Sequence, residues 1–338
     1  MKQSSPVRTD RRTSQFLLTS RNVYRLTCLW VCAGFLTATT GCQTLNVNRA
    51  ENRWQPSNDR NWTPDQAILA SAEITGTHYI LRNIRDCNYV TDKNFVVNHF
   101  DREIDLSQIQ TVDFIMVPFD PKPFLAHTML SFGLDDGTYI GVSVEVRKEL
   151  GETYKLSATF LREYELIYVL AAERDLIRSR SFNNNSEVYL FPTVAQPEQA
   201  QQLFADIITR MNGLAQHPEF YHTITNNCTT NLTKHVNKIR PDRIQENAWQ
   251  VLLPGFSAKY AHEIGLIDNR IPFDDLKSIA YVNDRAARHF DDPDFSQAIR
   301  SNRYLIDRAI VAQQRRAPTQ QGRSESYLSK QQRGNRRR

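Results

Sequence analysis

The sequence predicts an α+β protein in which an antiparallel sheet packs against helices. Alternating β-branched and aromatic residues dominate from residue 77 to 147, with the clearest hairpin around Asp135-Asp136-Gly137. Helical periodicity follows, and its best example is the apolar stripe that runs from Pro197 to Leu214. A run of strands followed by a run of helices is typical of the α+β class.

The hairpin places a histidine opposite a glutamate. Its strands, Ala126–Leu134 and Thr138–Arg147, flank a three-residue loop with glycine in the left-handed position. Paired residue numbers then sum to 272, so His127 lies opposite Glu145 on one face of the sheet, with Cβ atoms about 5 Å apart. A two-residue loop would move Glu145 to the other face, so the predicted contact depends on the turn.

Three other segments give weaker predictions. Pro64 to Ala72 is predicted to be a short helix, and Thr159 to Glu173 fits a helix or a strand equally well. Glu173-Arg174-Asp175 could supply an acid and a base, but such a run is more typical of a solvated or ion-paired face.

A cysteine stands where a polar, cap-forming run meets a helical pattern. Asn226 and Asn227 are good N-cap residues, and an apolar stripe continues beyond them until Pro241. Cys228 would lie in the first helical turn, where free N–H groups and the helix dipole favour a thiolate. This setting makes Cys228 a candidate nucleophile, whereas most free cysteines are small buried core residues.

The cysteine count leaves a second possibility for Cys228. Three of the five cysteines lie in the first 42 residues, so Cys87 and Cys228 are the two in the body of the chain. In an oxidising compartment they could form a disulfide, which would exclude a nucleophilic thiol.

Other catalytic motifs and metal sites are not evident in the sequence. There is no HExxH, CxxC or GxSxG motif, so we expect no metal and no cofactor. His235 follows Cys228 by seven residues, about 10 Å of helical rise, and is too far to be its base. The candidate constellation is therefore Cys228 as nucleophile, His127 as base and Glu145 as the group that orients the base.

The positive net charge belongs to the chain ends. Residues 1–25 carry six basic and one acidic side chain, and residues 315–338 carry eight basic and one acidic. The formal charge of +5 thus leaves −7 for residues 26–314. A mildly acidic body gives no reason to expect nucleic-acid binding.

The N-terminus has the pattern of an export signal. An apolar run from Leu26 to Ala38 ends in Thr39-Thr40-Gly41-Cys42, which resembles a bacterial lipobox with threonine in place of the usual leucine. We expect lipidation of Cys42 and attachment to a membrane on the periplasmic side; an uncleaved anchor and an ordinary cleaved signal are the alternatives. Gln43 favours the outer over the inner membrane.

Composition divides the chain into four parts. Residues 1–42 are predicted to be a signal peptide with lipobox, 43–63 a tether, 64–314 a single domain, and 315–338 a disordered basic tail.

The stretch from Thr77 to Ile264 resembles the periplasmic domain of the bacterial lipoprotein N-acyltransferase Lnb. The resembling segments occur in order: Asn83-Ile-Arg-Asp-Cys-Asn-Tyr89, Val112-Asp-Phe-Ile-Met-Val-Pro-Phe119, Ala126-His-Thr-Met-Leu-Ser-Phe-Gly133, Ser143-Val-Glu-Val-Arg-Lys-Glu149, Arg162-Glu-Tyr-Glu-Leu-Ile-Tyr168, Glu173-Arg-Asp175 and Phe220-Tyr-His-Thr-Ile-Thr-Asn-Asn-Cys-Thr-Thr230.

The resemblance implies a fold, a site and a chemistry. A histidine strand that precedes a cysteine helix is similar to permuted papain-like enzymes of the NlpC type. The family motif carries over onto Cys228, His127 and Glu145 as catalytic residues. Three further positions are implied to bind substrate: Tyr221, Asn227 and Arg147. The implied reaction is acyl transfer from a lipid or lipoprotein through a Cys228 thioester to an amine, with no cofactor.

Two departures from the family leave other functions open. No segment after Cys42 has the membrane portion that fuller members carry, and an outer-membrane lipoprotein would be separated from substrates matured at the inner membrane. The alternatives are a papain-like amidase or peptidase acting on peptidoglycan or envelope peptides, and a non-enzymatic envelope lipoprotein. An apolar groove beside Cys228 would favour acyl chains, and a buried or disulfide-bonded Cys228 would favour the non-enzymatic protein.

Overall fold

Eight of the strands form one mostly antiparallel sheet. The structure, a computed structural model, describes residues 55–89, 94–183 and 186–316. Its strands are β1 (Ser71–Thr75), β2 (His78–Arg85), β3 (Asn88–Tyr89), β4 (Phe95–Val96), β5 (His99–Asp105), β6 (Ile109–Phe119), β7 (Lys122–Leu134), β8 (Tyr139–Arg147), β9 (Glu165–Ala172) and β10 (Tyr189–Pro192). The sheet order is β1-β2-β9-β8-β7-β6-β10, with β5 also paired to β2, and the β2–β9 contact is parallel.

Helices cover both faces of this sheet. They are α1 (Leu156–Phe160), α2 (Glu173–Arg178), α3 (Pro197–Gln216), α4 (Cys228–Ile239), α5 (Trp249–Leu252), α6 (Ser257–Glu263), α7 (Phe273–Ala280), α8 (Asn283–His289), α9 (Phe295–Ala298) and α10 (Tyr304–Arg316). A π-helical turn, Ser179–Asn183, follows α2. The predicted α+β class, with an antiparallel sheet packed against helices, is confirmed; the permuted papain-like core stays a prediction.

The two faces of the sheet carry separate apolar cores. On one face, α3 and α4 place Phe204 and Leu232 against Phe132 of the sheet. On the other face, α2 places Leu176 against Met129 and Val169. The strands are thus buried on both sides, which explains why their sequences are apolar over long runs.

The predicted hairpin register is confirmed. Strands β7 and β8 pair from Gly133–Tyr139 to Met129–Ser143, so every pair sums to 272. Gly137 has a φ of 81°, and the Leu134 N–H donates to the Thr138 carbonyl oxygen over 2.9 Å, which closes the three-residue loop. The turn therefore puts Glu145 on the same face as His127.

Three local predictions differ from the structure. Pro64–Gln66 is only a 3-10 turn, and Ser71–Thr75 is an edge strand because it pairs with β2. The ambiguous segment divides into helix α1 and strand β9. Trp62, assigned to the tether, is buried with the Arg147 guanidinium 4.1 Å from its ring centroid, so the domain begins before residue 64.

The Glu173-Arg174-Asp175 run is ion-paired, as one of the alternatives predicted, and its two carboxylates are buried while Arg174 is half-exposed. Asp175 is fully buried and pairs with Arg85 over 2.7 Å. Glu173 is buried beside Asp113, and both carboxylates bind the guanidinium of Arg300, at 2.7 Å in each case. These contacts tie helix α2 to strands β2 and β6 of the sheet and give the run a structural role.

Candidate active site

A capped helix start holds Cys228. The Asn227 side-chain oxygen accepts a hydrogen bond from the Thr230 N–H at 2.8 Å, and the Thr230 hydroxyl oxygen accepts one from the Asn227 N–H at 2.9 Å. This reciprocal capping box makes Cys228 the first residue of α4. The predicted N-cap is confirmed, and the thiol lies at the positive end of the helix dipole.

A serine links the histidine to the glutamate. The His127 Nε2 atom is 2.8 Å from the Ser143 Oγ atom, and the Ser143 hydroxyl donates to Glu145 Oε1 at 2.7 Å. The direct distance from His127 Nε2 to Glu145 Oε1 is 3.8 Å. Because Ser143 gives its one proton to Glu145, its oxygen accepts from the Nε2–H of His127. The neutral imidazole then has an unprotonated Nδ1 that can act as a base.

Glu145 is held as a carboxylate. Burial alone would raise its pKa, but the charges of Arg180, Arg85 and His127 outweigh burial and put the pKa well below its ordinary range. The closest of these contacts is the Arg180 Nη2–Glu145 Oε1 ion pair of 2.7 Å. A fixed negative charge therefore lies beside the Ser143 hydroxyl that contacts the imidazole.

The Cys228 thiol is acidic although it is buried. Burial raises its pKa, but a hydrogen bond and the charge from His127, together with the Thr128 N–H, outweigh burial and lower the pKa from 9.0 to about 6. Cys87 shows the opposite behaviour, because burial and the nearby Asp175 carboxylate raise its pKa to about 12. The two buried cysteines therefore differ in the acidity of their thiols, and Cys228 is the one of the two with the acidity typical of a reactive thiol.

Two tyrosines adjoin the thiol. The Tyr221 hydroxyl is within hydrogen-bonding reach of both the Cys228 sulfur and the Cys228 N–H, and burial and the thiolate charge raise the pKa of Tyr221 well above its ordinary value. Burial, and then the same thiolate, raise the pKa of Tyr154 to about 12. Tyr221 is thus a protonated donor next to the reacting atom, where negative charge would develop on a bound carbonyl oxygen.

The structure brings together five of the predicted site residues. Cys228, His127, Glu145, Tyr221 and Asn227 form one contiguous site. The thiol is 3% exposed, the burial that the non-enzymatic alternative predicts. The lowered pKa argues against that alternative, because an inert core cysteine would resemble Cys87.

The other predicted residues lie elsewhere. The Arg147 guanidinium donates to the carbonyl oxygens of Gln66 and Ala67 at 3.0 and 2.9 Å, which fixes the segment before β1, so its substrate contact stays a prediction. Cys42 and the rest of the signal segment lie outside the described residues, as does most of the basic tail. His235 contacts Asp206 and Tyr168, in agreement with its rejection as the base.

Sequence reasoning missed Ser143 and Arg180. Ser143 precedes Glu145 by two residues on the same strand, so period-two alternation puts it on the same face, and this signal was present. Arg180 comes from the turn after α2, and no local pattern predicts that it reaches β8.

The described residues exclude one alternative and offer no metal site. Cys87 and Cys228 are both free, so the disulfide is absent. Among the residues that the structure describes, no cluster of three or more His, Cys, Asp or Glu side chains could hold a metal ion. Within the same ranges, no helix is long and apolar enough to cross a membrane.

The fold and the site define an α+β protein with a histidine-paired cysteine at a capped helix start. It belongs to the family of the Lnb N-terminal periplasmic domain, whose family model matches residues 96–278, more than half of the chain. The match confirms the predicted family and supports a periplasmic-side location, whereas the lipid anchor and the choice of membrane stay predictions. Comparisons with curated proteins and with solved structures found no match.

Proposed function

We propose that this protein is an envelope lipoprotein whose domain transfers an acyl group through a Cys228 thioester to an amine. The observation that carries the proposal is the contact between His127 and the Cys228 thiol, which lowers the thiol pKa to about 6. A thiolate at neutral pH, a base and a group that orients the base are the requirements of a cysteine acyl-enzyme. Membership in the Lnb N-terminal domain family supports the acyl chemistry.

The residues divide the reaction into two steps. His127 takes the thiol proton, and the Cys228 sulfur attacks the ester carbonyl of the donor. The carbon–oxygen bond breaks, and the leaving alcohol takes the proton from His127, which leaves a thioester. The amine nitrogen then attacks the thioester, the carbon–sulfur bond breaks, and His127 moves the amine proton to the departing sulfur.

The remaining site residues stabilise charge in both steps. Glu145 acts through the Ser143 hydroxyl to orient the imidazole, and its charge stabilises the imidazolium that forms during each step. The Tyr221 hydroxyl supplies a hydrogen bond to the oxyanion of each tetrahedral intermediate. Water in place of the amine would give the amidase or peptidase alternative from the same intermediate, so the acceptor distinguishes the two functions.

An activated ester tests this proposal. The purified protein is mixed with p-nitrophenyl butyrate, with and without glycinamide as the amine acceptor. We expect a burst of p-nitrophenolate, a butyryl mass on the Cys228 peptide that hydroxylamine removes, and butyryl-glycinamide in excess over butyrate. Butyrate as the main product at high glycinamide would favour the hydrolase instead.

Two cysteine variants serve as matched controls. Cys228→Ala should lose the burst and the acyl mass, whereas Cys87→Ala should keep both, because Cys87 is buried with a raised pKa and has no part in the site. The same acyl mass in Cys228→Ala would contradict the proposal.

A further inference from the structure

A cavity of about 310 Å³ lies beside the nucleophile helix α4. Helices α4 and α6, strands β6 and β7 and the start of α3 surround it, and most of its lining is apolar; examples are Leu130, Leu232, Val236, Ile239 and Val251. Its volume is at the lower end of the range of about 300–1,000 Å³ that is typical of small-molecule pockets.

The cavity adjoins the thiol through one side chain. Thr229 lines the cavity, and its hydroxyl oxygen is 3.8 Å from the Cys228 sulfur. The same hydroxyl lies 3.1 Å from the Thr128 hydroxyl of β7, which holds the Thr229 side chain between the thiol and the sheet. Thr229 is thus in contact with both the thiol and the cavity, which puts the sulfur one side chain away from the cavity wall.

The shape and the chemistry of the cavity suit a single hydrocarbon chain. Thr229 and Arg240 both line it from opposite ends of α4, about 16 Å apart by helical rise. Arg240 is the one charged residue among the lining residues described. Peptides would leave polar backbone groups unpaired against such a wall, whereas a methylene chain gains about fourfold in affinity for each carbon it buries.

We propose that this cavity binds the hydrocarbon chain of the acyl group carried on Cys228, and that its far end limits the length of that chain. The proposal rests on the acyl transfer proposed above and names its substrate class as long-chain acyl esters. The chain runs along α4 from Thr229, and the apolar wall ends at Arg240. Chains that reach beyond this end gain no further affinity.

Fatty-acid binding to a protein without the Cys228 thiol tests the cavity independently of the acyl transfer. Saturated fatty acids from octanoate to stearate displace a fluorescent fatty acid from the full-length Cys228→Ala protein. Affinity should rise by about fourfold for each methylene and then level off where the cavity is full. Affinity that does not depend on chain length would overturn the proposal.

Two cavity variants and one matched control locate the binding. Val236→Trp fills the interior of the cavity. Val194→Trp narrows the cavity at its surface end, because Val194 both lines the cavity and is 47% exposed. The fold should tolerate the change at this exposed position. Each should weaken binding of long chains by about tenfold or more, which is the affinity of roughly two methylenes. Val311→Trp, on an exposed part of α10, should change nothing. Equal binding by all these proteins would overturn the proposal.

Acylation rates separate this proposal from the function on which it rests. In protein with Cys228 intact, Val194→Trp should slow thioester formation from p-nitrophenyl laurate much more than thioester formation from p-nitrophenyl butyrate. Equal effects on the two esters would overturn the cavity proposal and keep the acyl transfer. If neither ester forms a thioester, acyl transfer itself fails, and with it the acyl-chain role of the cavity.

Discussion

Removal of the His127 imidazole should raise the pKa of Cys228 by about three units. In the folded protein this pKa is about 6, compared with 9.0 ordinarily, a difference of about 4 kcal/mol between the two protonation states. Burial opposes the shift, and the hydrogen bond and charge of His127 are the largest effects that lower it. His127→Ala leaves burial uncompensated, so the thiol should titrate at or above pH 9.

The assay is the pH profile of iodoacetamide alkylation, measured by mass spectrometry on the Cys228 peptide from about pH 4 to about pH 10. The wild-type rate should reach its plateau near pH 7, whereas the rate of His127→Ala should still rise at pH 9. The pH of the inflection is the quantity to compare, because a thiolate of low pKa is intrinsically less nucleophilic. In the rate itself, this lower nucleophilicity partly cancels the larger fraction of thiolate. Ultraviolet absorbance of the thiolate, measured as the difference from Cys228→Ser, gives the same pKa and does not depend on how easily iodoacetamide reaches the sulfur.

A second histidine provides the control. His262 lies on α6 and contacts the Ile271 carbonyl oxygen, not the thiol, so His262→Ala should keep the inflection near pH 6. The reasoning fails if the wild-type thiol titrates near 9.0, its ordinary value, or if His127→Ala leaves the inflection in place.

Three further variants test the residues that hold His127 and the start of helix α4 in place. Ser143→Ala removes the hydroxyl between the imidazole and Glu145, so kcat for p-nitrophenyl butyrate should fall by at least about tenfold, with KM little changed. Asn227→Ala removes the acceptor of the Thr230 N–H, so urea unfolding should show a loss of about 1 kcal/mol, which Asn227→Asp should largely avoid. Glu145 has a lowered pKa, so its contribution to stability is complete above about pH 5, decreases progressively below about pH 4.3, the ordinary value of a glutamate, and is fully lost only below the lowered pKa of the folded state. Glu145→Gln should therefore reduce the loss of urea stability between pH 5 and pH 3; an unchanged slope would contradict the ionised, stabilising carboxylate.

The parts of the fold that were predictable depend on local chemistry. The loop Asp135-Asp136-Gly137 specifies the hairpin register, because its glycine takes a left-handed conformation that other residues avoid. The register then places Glu145 beside His127 without any knowledge of the rest of the chain. The N-cap at Asn227 is local in the same way, since donor and acceptor are three residues apart.

The parts that were not predictable depend on distant partners. Ser71–Thr75 follows a helix-like start, and it becomes a strand because β2 offers it backbone partners. Asp175 and Arg85 are ninety residues apart, so a run of charges that resembles a solvated face is instead buried. Arg180 reaches Glu145 from a turn whose position depends on the whole sheet.

The pairing of Arg300 with Asp113 and Glu173 has a practical consequence for where the chain can be cut. The family match ends at residue 278, yet Arg300 lies beyond it and supplies the cation that two buried carboxylates share. Leaving such a charge uncompensated costs about 3–5 kcal/mol. The whole free energy of unfolding of a domain is about 5–15 kcal/mol. An expression boundary chosen from the extent of homology alone would therefore yield an unstable fragment, and the shortest fragment to attempt includes Arg300.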